Sequence, residues 1–73
     1  MSKGFLERML FLVGGRKQHS WGLAIGLTRG MVDGVFRRGQ LPSAEALAII
    51  ASAERVNLTW LLTGEGPPYL VLP

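Results

Sequence analysis

Residues 18–39 read QHSWGLAIGLTRGMVDGVFRRG, and the placing of the apolar side chains in this stretch asks for two short helices joined by a sharp turn. Trp21 and Ile25 share one face of a first helix, Val32 and Val35 share one face of a second, and Leu27 falls at the elbow between them. Gly26 separates the two runs where a left-handed backbone conformation is needed, and Thr28 carries a hydroxyl able to cap the helix that follows. The pattern predicts a helix-turn-helix whose second helix covers about residues 28–38. A motif of this kind works by setting its second helix in the major groove of DNA.

Charge points to the same stretch. Residues 16–39 hold Arg16, Lys17, Arg29, Arg37 and Arg38 against Asp33 alone, a balance of +4, while the rest of the chain holds Lys3, Arg8 and Arg55 against Glu7, Glu45, Glu54 and Glu65, a balance of −1. All of the net +3 therefore originates in the motif. A polyanion would be steered to such a surface, and phosphate contacts by Lys and Arg make binding salt-dependent. A charge run by itself is more simply a solvated face; its coincidence with the helix-turn-helix is what favours DNA.

Seventy-three residues make one small domain, near the size at which a single core is barely sufficient. Without cysteine, neither a disulfide nor a thiolate metal site supplements that core, so the 48% apolar content has to act through packing. The N-terminal MSKGFLERMLFLVGG has the basic residue and apolar run of a signal peptide, but Glu7 and Arg8 break the run, and it is too short and too charged to span a bilayer. The expectation is a cytoplasmic chain without membrane contact.

Phe5, Leu6, Met9, Leu10, Leu12 and Val13 recur at helical spacing before Gly14 and Gly15, which predicts a first helix over residues 3–13. Ser43 is a natural cap for a helix over about 44–54, with Glu45 in its first turn where the helix dipole favours an acid. Asn57 caps a short LTWLLT helix that Gly64 ends. The expected fold is an all-α compact bundle of about five helices, with a DNA-binding domain over 1–68 and a tail over 69–73 that is either extended or a strand awaiting a partner. Gly22, Gly26, Gly30 and Gly34 recur every four residues. In an apolar segment that period suggests a membrane helix pair, but His19, Arg29, Asp33 and Arg37 exclude it here. Gly22 instead marks a close helix approach, and Gly30 and Gly34 weaken the second motif helix by roughly 1 kcal/mol each relative to alanine.

Beyond the motif, LPSAEALAIIA at 41–51 and VNLTWLLTGEGPP at 56–68 resemble the N-terminal DNA-binding domain of phage CI-type repressors, within the lambda-repressor-like family. The likeness covers all but the first dozen residues and the last five. It implies a bundle of about five helices that binds a two-fold operator in double-stranded DNA, usually as a homodimer; the further C-terminal domain common in full-length members has no counterpart in these residues. Carried over residue by residue, it makes Gln18 a phosphate clamp, sets Thr28, Arg29 and Gly30 facing base edges with Asp33 and Gly34 one turn on, and sends Arg37 to the backbone; Lys17 and Arg38 join them as expected DNA-binding residues. Gly22 stands where the family commonly has alanine, and glycines at 30 and 34 remove side chains that would read bases. Direct readout then falls mainly on Arg29, with Thr28 able to touch a thymine methyl or a phosphate.

Each of these residues has a plainer role to weigh. Arg29 could hold a phosphate in place of a guanine. Asp33 could accept from cytosine, but it lies four residues from both Arg29 and Arg37, which favours an ion pair that orients an arginine. Trp21 and Trp60 could stack on bases, yet their aliphatic neighbours at helical spacing make them core residues, Trp60 among Leu6, Leu10, Leu47 and Leu61. His19 is the only histidine and has no acid near it in sequence, so no metal site, catalytic triad or cofactor is expected, and His19 is read as an exposed residue near the DNA backbone. No small-molecule ligand is evident. A different class of function is an interaction module, such as a helix-turn-helix antitoxin that holds a partner protein through the apolar YLVLP tail.

Overall fold

The computed structural model describes residues 3–70. They form five α-helices: α1 Lys3–Val13, α2 Gln18–Ile25, α3 Arg29–Phe36, α4 Ala44–Glu54 and α5 Leu58–Thr63. The all-α class and the helix count agree with the sequence reading. The radius of gyration, 11.4 Å, is that of a fully collapsed chain of this length, for which about 11 Å is expected.

Most helix ends have a local chemical cause. Thr28 Oγ1 accepts from Met31 N at 3.1 Å, Ser43 Oγ from Ala46 N at 3.2 Å and Asn57 Oδ1 from Thr59 N at 3.1 Å, so three of the helices start on side-chain caps. Gly26 ends α2 at φ 110 and Gly64 ends α5 at φ 85, both left-handed. α3 stops at Phe36, two residues short of the expected end. Arg37 forms its cap, Gly39 at φ 66 turns the chain, and Gln40 N donates to Gly34 O at 2.8 Å.

Four α1 residues, Phe5, Met9, Leu12 and Val13, join Trp21, Leu27, Val32, Val35, Ala46, Ile50, Val56 and Leu61 in one buried cluster. α2 packs on α3 and α4, and α1 packs on α5. Four of the five apolar positions that announced the two-helix unit are buried, and Ile25 packs half-exposed against them.

Two expectations are corrected. Trp60 is only half-buried, with its ring edge-on to Phe11 at 5.6 Å, while its neighbour Leu61 is the fully buried residue of α5. Leu10, expected beside it in the core, is exposed. A six-residue helix has one inward stripe, and here that stripe is centred on Leu61. The start of the C-terminal tail also finds its partner within the chain. Tyr69 bridges Val56 in antiparallel fashion, Asn57 N donates to Pro68 O at 2.8 Å and Leu70 N to Arg55 O at 2.9 Å. The remainder of the predicted tail, 71–73, lies outside the described residues.

Candidate nucleic-acid interface

The site is organised by the close approach of α2 and α3. A Cβ added to Gly22 would collide with Val32 Cγ2, so the glycine is what lets the two backbones come together. Trp21 then packs edge-on against Phe36, with ring centroids 6.3 Å apart and planes at 83°. Leu27 closes the elbow, 6% exposed.

A polar tie crosses the same seam. His19 Nε2 lies 2.9 Å from Asp33 Oδ1, joining the first turn of α2 to the second turn of α3. This corrects two readings: Asp33 does not pair with Arg29 or Arg37, and His19 is a partly buried partner of Asp33. Fourteen residues separate the two in sequence, so neither helical spacing nor a search for acids near His19 could connect them. Only the turn at Gly26 does so.

On the outer side of this unit, Lys17 is exposed ahead of α2 and Gln18 opens that helix half-buried. Thr28, Arg29 and Gly30 lie exposed at the start of α3, Asp33 is half-buried, and Arg37 and Arg38 are exposed at its far end. The side chains of Lys17, Arg29 and Arg37 make no hydrogen bond or ion pair among the described residues. Arg38 Nη2 reaches Gly30 O at 3.5 Å, the limit of hydrogen bonding. Gly34 is buried despite lacking a side chain, because the ends of Arg38 and Gln40 lie over it.

Arg16 belongs to a different part of the charge pattern. Its guanidinium donates to Leu12 O at 2.7 Å and Val13 O at 2.9 Å, and it pairs with Glu54 at 2.7 Å. It closes the C-terminal end of α1 and joins it to α4, and its hydrogen bond to Glu54 raises its pKa above the ordinary guanidinium value. Arg16 is thus a structural cation, whereas Lys17, Arg29 and Arg37 at the ends of α2 and α3 are uncommitted, as is Arg55 at the end of α4.

No family model, curated protein or solved structure matches this chain. Among the described residues, no three His, Cys, Asp or Glu side chains gather as a metal site would require, and no helix is long and apolar enough to cross a membrane. The arrangement offers three uncommitted cations, Lys17 ahead of α2, Arg29 at the start of α3 and Arg37 at its far end, with the one acid of α3 engaged by a histidine. Such a surface can hold phosphates and present α3 to a groove.

Proposed function

We propose that this chain is a sequence-specific double-stranded DNA-binding transcriptional regulator of the phage or prophage repressor kind that its sequence resembles, acting in the cytoplasm with α3 in the major groove. The observation that carries this reading is the pairing pattern. Asp33 is taken up by His19 and Glu54 by Arg16, while Lys17, Arg29 and Arg37 around α2 and α3 stay free to meet phosphates and bases. In this reading Lys17, Gln18, Arg37 and Arg38 hold the backbone, Thr28 and Arg29 face base edges, and the bare Gly30 lets the DNA approach.

One small helix covers few base pairs, so useful affinity calls for two copies on a two-fold site about one helical turn apart. An exposed apolar cluster supports pairing. Phe11, 57% exposed, contacts Trp60 at 5.6 Å and Tyr69 at 6.5 Å, and Leu62 and Leu70 are exposed as well. This surface of α1, α5 and the start of the tail is the homodimer face in our reading. The same cluster is what favours the second reading, an interaction module that binds a partner protein.

Selection of duplexes from a random pool, followed by gel shifts over a salt series, tests the proposal. Arg29→Ala should cost about 1–3 kcal/mol on the selected duplex and relax preference at one base pair. Arg37→Ala should weaken all duplexes alike and reduce the salt slope by about one. Phe11→Ser should lower cooperativity and leave a folded monomer. A chain that shows no salt-sensitive duplex binding is an interaction module.

A further inference from the structure

The helix proposed to enter the groove lacks side chains at two of its positions, Gly30 and Gly34. Their vacancy is partly filled from outside the helix. Past Arg37 the chain turns at Gly39, φ 66, and Gln40 is fastened back onto α3 by its own N–H, which donates to Gly34 O at 2.8 Å. Its side chain then runs over the bare position, so that a Cβ at Gly34 would lie 3.2 Å from Gln40 Oε1 and 3.3 Å from Arg38 Nη2. A crease of about 160 Å³ remains between α3 and this segment, lined in part by Gly30, Gly34, Gln40 and Leu41.

We infer that Gln40 is a specificity-determining residue, reading the edge of an adenine in the duplex from a position that α3 leaves empty; the inference rests on the DNA-binding reading above. Three features carry it. The backbone of Gln40 is anchored to α3, so its amide is held at the surface of that helix although it belongs to the following turn. Gln40 is an exposed residue and its side-chain amide makes no hydrogen bond among the described residues, so donor and acceptor are both available. Side by side, they match the N6 donor and N7 acceptor that adenine shows in the major groove. Arg38, lying over the same glycine, differs in kind: a cation gains from any phosphate, whereas a neutral amide gains little from phosphate charge and registers in base preference. Gly34 completes the arrangement, because alanine there would press on the amide and displace it.

The test repeats the duplex selection with the wild-type chain, Gln40→Ala and Gly34→Ala, with circular dichroism to verify that each is helical. Gln40→Ala should lose preference at one A·T pair, discrimination there falling by between about fivefold and a hundredfold, with binding to random duplex unchanged. Gly34→Ala should loosen the same pair. Placing 7-deazaadenine at that position, which removes N7 and preserves base pairing, should weaken the wild-type chain and leave Gln40→Ala indifferent. An equal loss on selected and random duplex, or an unchanged preference in Gln40→Ala, overturns the inference and leaves DNA binding standing. Absence of salt-sensitive duplex binding by the wild-type chain overturns both.

Discussion

Where α2 meets α3, contact depends on a missing side chain, since one methyl group on Gly22 would run into Val32 Cγ2. Where α1 meets α5, contact depends on large ones: Phe5, Met9, Leu12 and Leu61 are each no more than 1% exposed, and outside them Phe11 meets Trp60 edge-on. The first seam sets a close backbone approach beside the edge-on pair of Trp21 and Phe36, and a polar tie from His19 to Asp33 spans its edge. The second is built from large side chains almost wholly withdrawn from water, a burial that contributes roughly 25 cal/mol per Å² of apolar surface. The difference separates two tasks. The α1–α5 seam holds through large apolar side chains, and the α2–α3 seam fixes how the exposed turn of α3 is presented.

The largest effect that could break this contrast is expected at Leu61. Leu61→Ala removes a fully buried side chain and should cost about 2–5 kcal/mol in urea or thermal unfolding, a large share of what a domain of this size possesses. Trp60→Ala should cost clearly less, because that indole is only partly buried and Leu61 is fully so. If the two variants melt together, α5 is not anchored through Leu61.

Gly22→Ala probes the other seam by the opposite failure, crowding in place of a cavity. Val32 is β-branched and 1% exposed, so it has little freedom to withdraw, and the substitution should cost about 1–3 kcal/mol. The sharper measurement is a cycle with Val32→Ala, which deletes the colliding methyl. Each single variant should destabilise, and the double variant should be more stable than their sum implies. Additive losses would mean that Gly22 and Val32 do not oppose each other across the seam.

How much of this was legible in the sequence divides along the same line. Local chemistry announced itself: the three caps at Thr28, Ser43 and Asn57, the left-handed Gly26 and Gly64, and the periodicity of α1 and α4 all lie within a few residues of what they determine. Contacts closed by the fold did not. Asp33 has arginines four residues away on either side, so spacing on its own helix proposed them, while its partner His19 sits on the preceding helix. Trp60 and Leu61 are adjacent in an apolar run, and a six-residue helix is too short for its pattern to say which faces inward. Gln40 follows α3 and carried no periodic signal; only the turn at Gly39 sets it over Gly34. Charge counting placed Arg16 among the cations of residues 16–39, although its guanidinium is committed to Glu54 and the end of α1.

The smallest effect expected is also the one that best sharpens the comparison, because it should stabilise. Gly30 lies inside α3 at an exposed position, its φ is not left-handed, and a Cβ there would meet nothing closer than Thr28 Oγ1 at 3.8 Å. Alanine has no clash to relieve at that site and restricts the unfolded chain, so Gly30→Ala should add up to about 1 kcal/mol to stability. Gly34→Ala has the same propensity gain but must push aside Gln40 and Arg38, so its gain should be smaller. Amide exchange in α3 should slow in the first variant more than in the second. If Gly30→Ala is more stable yet binds the selected duplex less well, the glycine is retained for backbone approach to DNA at the expense of helix strength. If it gains stability and binds equally well, the exposed first turn of α3 is not where the duplex comes closest, and the contacts move toward Arg37, Arg38 and Gln40 at the other end of the helix.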